Sequence, residues 1–306
     1  MSGALDCENQ PTSPRRLVID LAVCILVACS LIPQIICFAT ADSSDAGVSP
    51  WYIIFMALSV NGHLAARTGG TFTKASYDCI RNGHLPSWKG LSAVVMWIQI
   101  LVHWAACIAL VAVYVSFRHR HIKDKIPLGY AVAQSPAQLV HTTTTGPSNA
   151  AIVAIMATHA LIVLPPAVYI LLNKLPVYGS MTFGLFQQFL YIVLAITGLA
   201  TSVAAPIFQV QLMVARSHEG LGLGSLSVLG TGLQAIAYLA VCLSQSVRLW
   251  FWSTDQTPGI SAVMAFVIWF VDVSGPAVSY GVMAVGQLVV LCVALGLERR
   301  GGSLRL

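Results

Sequence analysis

Along most of this chain apolar residues do not alternate with polar ones but run together. Runs that qualify as spans lie at roughly 17–41, 50–66, 90–117, 150–172, 182–214, 223–247 and 277–297. A helix rises 1.5 Å per residue, so about 20 apolar residues cross the hydrocarbon core of a bilayer. The pattern therefore predicts seven membrane-spanning helices. The second run is short, but Trp51, Tyr52 and Arg67 border it as interfacial residues do. The fifth is long and contains Pro206, where a kink is expected. The first run follows Arg15 and Arg16 and is longer than the apolar core of a cleaved signal peptide, so it reads as an uncleaved span.

One segment complicates the count. Residues 248–276 begin with Arg-Leu-Trp-Phe-Trp, hold an apolar stretch at 260–271 and end at Asp272-Val-Ser-Gly-Pro276. The aromatic cluster favours an interfacial or re-entrant piece, with an extension of a neighbouring helix or an eighth span as the alternatives. Thr, Gln, Gly and Pro make 126–149 a connector.

Composition agrees with the pattern. Of 306 residues, 57% are hydrophobic and 9% charged, against about 25% charged in soluble domains. The net charge of +5 comes from basic residues clustered between the apolar runs, which points to a bilayer rather than nucleic acid as partner. Lys and Arg divide eight to eight between the two sides of a seven-span topology, so they assign no orientation. Six of the eight cysteines lie in apolar runs and no CxxC pair occurs, so they read as packing residues, with no metal or cofactor expected.

The chain also resembles itself. At an offset of 173 residues, Pro33 falls on Pro206, Ser44 on Ser217, Gly47 on Gly220 and Asn61 on Gln234. Each copy has an apolar helix with a proline, a polar turn with Gly, and a second helix bearing an amide. A third helix follows, with Gln99 in one copy and Gln287 in the other. The expected fold is thus all-α, two three-helix repeats joined by a linker helix (3+1+3). Its parts are a tail at 1–16, a first repeat at 17–117, a polar connector at 118–149, a linker span at 150–173, a second repeat at 182–297 with the insertion at 248–276, and a tail at 298–306.

Leu31-Ile32-Pro33-Gln34-Ile35 followed by Asp42-Ser43-Ser44-Asp45-Ala46-Gly47 resembles the first motif of the PQ-loop repeat family, which includes the SWEET sugar transporters and lysosomal amino-acid exporters. Ala205-Pro206-Ile207-Phe208-Gln209 with Ser217-His218-Glu219-Gly220 is similar to the second motif, except that the glutamine follows the proline by three residues. The resemblance spans most of 17–297 and is nearest to fungal members of unassigned function. It implies a secondary or facilitative carrier that rocks about Pro33 and Pro206, in an endomembrane or vacuole-like membrane.

The residues themselves keep several readings open. Proline removes a backbone hydrogen bond inside a helix, leaving a bend or a hinge. Asn61, Gln99, Gln234 and Gln287 are interhelical glue or solute contacts. Gln34 and Gln209 are further solute or coupling candidates, with capping of the carbonyl freed by Pro33 as the other reading of Gln34. Asp20 and Asp272 are the acids near membrane depth and candidates for proton coupling, although Arg16 lies one turn from Asp20. His63, His103 and His159 are histidines at the same depth; His103 is taken with the solute and coupling candidates.

The leading expectation is a transporter of a small polar solute, such as a sugar, amino acid or organic acid, with a proton as candidate co-substrate and a homo-oligomer left open. Two other classes compete. A membrane-embedded cyclase or transferase needs an acid pair or diphosphate site; Asp42-Ser-Ser-Asp45 has no second acidic cluster to face. A seven-helix cargo receptor needs a charged pocket that few membrane-depth charges can build, and a retinal protein is disfavoured because the last lysine is Lys174.

Overall fold

The computed structural model describes residues 14–40, 47–69, 87–124, 147–171, 181–218, 223–224, 226–249 and 275–301. Among them every regular element is helical. In chain order these are α1 (Pro14–Ser30), α2 (Ile32–Thr40), α3 (Pro50–Gly69), α4 (Ser87–Asp124), α5 (Asn149–Leu171), α6 (Met181–His218), α7 (Val228–Leu249) and α8 (Gly275–Gly301). Five helical stretches are long and apolar enough to cross a membrane: Pro14–Thr40, Ile98–Arg120, Ile192–His218, Val228–Ser246 and Ala277–Arg299. α4 continues past 117 to Asp124, into the segment expected as a polar connector. The apolar stretch at 260–271 lies outside the described residues.

Burial differs from that of a soluble domain: the outer faces are apolar, and polar side chains are buried within a largely apolar interior. Gln99 and His103 are 1% and 0% exposed, whereas Leu161 and Leu229 are 74% and 68% exposed. Polar side chains gather inside because only other protein groups can satisfy them in hydrocarbon. Exposed Val18, Ile25 and Ile36 on α1 and α2, and Val285 and Leu288 on α8, give the outer faces an apolar surface. The architecture is that of a helical integral membrane protein.

α1 and α2 pack against α4, and α4 against α3; α6 packs against α8, and α8 against α7. Between these groups α3 lies along α6 and α7 along α1, and α5 packs on α3. The α3–α6 crossing is close because glycine faces glycine. A Cβ on Gly62 would fall 2.5 Å from the Leu194 carbonyl oxygen, and one on Gly198 would fall 3.0 Å from that of Ser59. Small residues allow this approach, and packing and lipid release drive helix association where the hydrophobic effect does not.

The two prolines sit in different backbones. A turn at Leu31 divides α1 from α2, which places Pro33 in the first turn of α2, where its missing N–H costs least. The Ile35 N–H donates to the Leu31 carbonyl across that junction. α6, by contrast, runs on through Pro206. The ring of Pro206 lies against Gly286 of α8, where an added Cβ would be 2.6 Å from its Cγ.

Candidate functional site

Two glutamines tie the helix groups together at one end. Gln34 Oε1 accepts the backbone N–H of Ser227, the residue before α7, at 2.8 Å. Gln209 Oε1 accepts the backbone N–H of Ser49, the residue before α3, at 2.9 Å, and its Nε2 donates to the Gly47 carbonyl at 3.1 Å. The first N–H groups of a helix have no partner within it, so each glutamine completes a helix start that belongs to the other helix group. Both are buried, at 3% and 0% exposure. The Gln34 amide oxygen is thus used across the interface.

The loops ahead of these helix starts touch. Gly47 and Gly224 both have positive φ, at 57° and 65°, a conformation that glycine adopts without steric cost. A Cβ on Gly47 would lie 1.9 Å from the Leu223 carbonyl oxygen, so glycine is required there for space as well. In the second loop the positive-φ glycine is Gly224. Gly220, the match by simple offset, lies outside the described residues.

From this end a buried polar column extends between α3, α4, α7 and α8. Tyr52 begins it. Gln287 Nε2 donates to the Tyr52 hydroxyl at 2.7 Å, and Gln234 Oε1 lies 3.3 Å from the same hydroxyl. Gln287 Nε2 also approaches Met56 Sδ at 3.6 Å, and the Tyr238 hydroxyl lies 4.0 Å from that sulfur. His103 follows, its Nε2 3.2 Å from the Tyr238 hydroxyl and its Nδ1 2.9 Å from that of Tyr280. The His63 ring stacks obliquely on Tyr280 at 5.2 Å, and its Nε2 is 3.4 Å from Ser59 Oγ, which also meets Met283 Sδ at 3.6 Å.

Helical spacing makes this column. Tyr52, Met56, Ser59 and His63 recur at steps of four, three and four on α3, and Tyr280, Met283 and Gln287 at three and four on α8. Gln234 and Tyr238 are four apart on α7, and α4 contributes His103. Such steps return to one face of a helix. Burying these groups is tolerable because they bond to each other.

The expected candidates therefore divide. Gln234, Gln287 and His103 meet in the column, while Gln34 and Gln209 hold helix starts. Asn61 turns aside and accepts the indole N–H of Trp104. Its Nδ2 and the Nε2 of Gln99 are buried without a hydrogen-bond partner. Asp20 is 1% exposed and accepts the Ser244 hydroxyl at 2.6 Å, with Arg16 Nε 3.9 Å from its other oxygen. Arg16 also donates to the Ser244 carbonyl at 3.1 Å. Asp20 thus joins α1 to α7 and makes none of the column's bonds described above. Asp272 lies outside the described residues.

Tyr52, Tyr238 and Tyr280 are central members that polarity alone does not single out in the sequence. Their signal was the spacing just described: hydroxyl-bearing rings in register with amides and histidines on helices otherwise apolar. No family model, curated protein or solved structure matches the chain.

Proposed function

We propose that this protein is a secondary or facilitative carrier for a small polar solute, built as two three-helix bundles and a linker span that alternate access about Pro33 and Pro206. In this reading α1/α2, α3 and α4 form one bundle and α6, α7 and α8 the other. α3 and α5 add to the five long apolar helices to make seven crossings. The resemblance to PQ-loop proteins points the same way.

The observation that carries the reading is the exchange of helix starts. Gln34 completes α7 and Gln209 completes α3, across contacting loops that both turn on a positive-φ glycine. Two bundles that each hold the other's second helix are what paired repeats would produce, and related repeats with a polar site between them are a recurrent carrier design. The polar column supplies uncharged donors and acceptors at depth, suited to a solute that exchanges water for amide and hydroxyl groups.

Uptake into proteoliposomes tests this. Radiolabelled glucose, glutamine and malate, offered with and without a pH gradient, represent the three solute classes. Saturable uptake of one class, weakened by Pro33→Ala or Pro206→Ala in protein that keeps its melting temperature, is the expected result. Folded protein that moves no member of a broadened panel, with both proline variants unchanged in cells, would sink the reading.

A further inference from the structure

His103 occupies the one place in the column where a single proton rearranges bonds on three helices. It projects from α4 at 0% exposure and meets Tyr238 of α7 and Tyr280 of α8 through its two ring nitrogens. A neutral imidazole has one donor and one acceptor nitrogen, so one of these tyrosines accepts from the ring and the other donates to it. With a second proton the ring donates through both.

We infer that His103, clasped by Tyr238 and Tyr280, is a proton-binding site whose occupation favours separation of α4 from α7 and α8. The inference rests on the carrier reading for its consequence, transport coupled to protons, but the site itself stands on the geometry of the clasp.

The clasp can take the proton without moving a ring. Where Tyr238 is the donor to Nε2, its O–H turns instead toward Met56 Sδ, 4.0 Å away, and its oxygen accepts from the newly protonated nitrogen. The proton comes from solvent hydronium: an O–H bond of hydronium breaks, an N–H bond forms on the imidazole, and water is left. His63, in ring contact with Tyr280, places a second imidazole beside that tyrosine.

The surroundings supply no balancing charge in the bonds described. Among the described side chains α3 brings His63 and Tyr52, α7 Tyr238 and Cys242, α8 Tyr280, Cys292 and, at its far end, Arg299, and α4 itself Cys107, Tyr114 and, toward its C-terminal end, Arg118, His119 and Arg120. α1, packed on α4, brings Cys24 and Asp20, whose oxygens are engaged by Arg16 and Ser244. α2 brings Cys37, and α5 brings His159. Glu298 lies at the opposite end of α8 from Tyr280. A buried charge that lacks a close counter-ion is costly, and water entering a parted interface relieves it. Proton binding and parting are therefore linked, each favouring the other.

Amide hydrogen exchange of the full chain in lipid nanodiscs reads this without knowledge of the solute. Between about pH 7.5 and about pH 4.5, exchange in the α4, α7 and α8 peptides should quicken by about threefold or more beyond the intrinsic pH effect. His103→Gln, which keeps a donor and an acceptor, should flatten that response. Tyr280→Phe, which retains the packed ring, should shift the pH at which it occurs and serves if the histidine variant does not fold. A wild-type protein without the response, or the same response in both variants, overturns the site. A response that is present while no solute enters proteoliposomes supports the site and counts against the carrier.

Discussion

The side-chain oxygen of Gln209 accepts the backbone N–H of Ser49 at 2.9 Å, joining residues 160 apart in sequence. Gln34 makes the same kind of bond to Ser227. A buried N–H at a helix start that loses its partner costs about 1–3 kcal/mol. Gln209→Ala and Gln34→Ala should therefore each lower stability by about that amount. Gln209→Ala should be the more damaging, because it also strips the donor to the Gly47 carbonyl. Melting temperatures in one detergent, compared with the wild type, check the order.

The glycine contact between α3 and α6 makes a second prediction. Gly62→Ala places a methyl 2.5 Å from a backbone oxygen, whereas Gly198→Ala places one at 3.0 Å, and Gly296 has nothing within 4 Å. Forcing an extra methyl into a packed contact typically costs about 1–3 kcal/mol. The expected ranking of loss is Gly62→Ala, then Gly198→Ala, with Gly296→Ala neutral or slightly stabilising through helix propensity. Equal melting temperatures for all three would remove the crossing as a source of specificity.

How far the sequence carries can be judged at particular residues. The apolar runs locate the helices closely, since α5 at Asn149–Leu171 and α8 at Gly275–Gly301 nearly coincide with the runs at 150–172 and 277–297. Length and hydropathy suffice there because the bilayer leaves helices as the main option. Partners were not legible in the same way. Asn61 and Gln234 occupy matching positions by offset, yet one meets Trp104 and the other Tyr52. An amide in an apolar helix announces that it needs a partner, not which helix brings it. The departure at Gln209 misleads for a related reason. Its register relative to proline differs from that of Gln34 because α6 is continuous where the first span is broken at Leu31.

Asp20 yields a third prediction. Its carboxylate accepts the Ser244 hydroxyl at 2.6 Å while Arg16 approaches both partners. Hydrogen bonds to charged groups contribute about 1.5–3 kcal/mol. Asp20→Ala should lower the melting temperature correspondingly, and Ser244→Ala should add little on top, because both remove one interaction. Asp20→Asn keeps an acceptor for Ser244 and should cost less than Asp20→Ala. If His103 binds the proton, Asp20→Asn also leaves the pH response of hydrogen exchange in place. Loss of that response in Asp20→Asn would transfer the proton site to α1.

The last prediction concerns Pro206 and Gly286. A methyl on Gly286 would lie 2.6 Å from Pro206 Cγ and 3.0 Å from its Cβ. A proline ring has little freedom to retreat, so α8 must shift or α6 must bend. Gly286→Ala alone should therefore destabilise by about 1–3 kcal/mol. Pro206→Ala removes Cγ and Cδ but keeps Cβ, which relieves the worse of the two contacts. The double variant should thus be less damaged than the sum of the singles, with a coupling of about 0.5–3 kcal/mol. Transport separates packing from hinging. If Pro206 only fills space, the double variant regains uptake together with stability. If it is the point about which α6 bends, stability recovers and uptake does not.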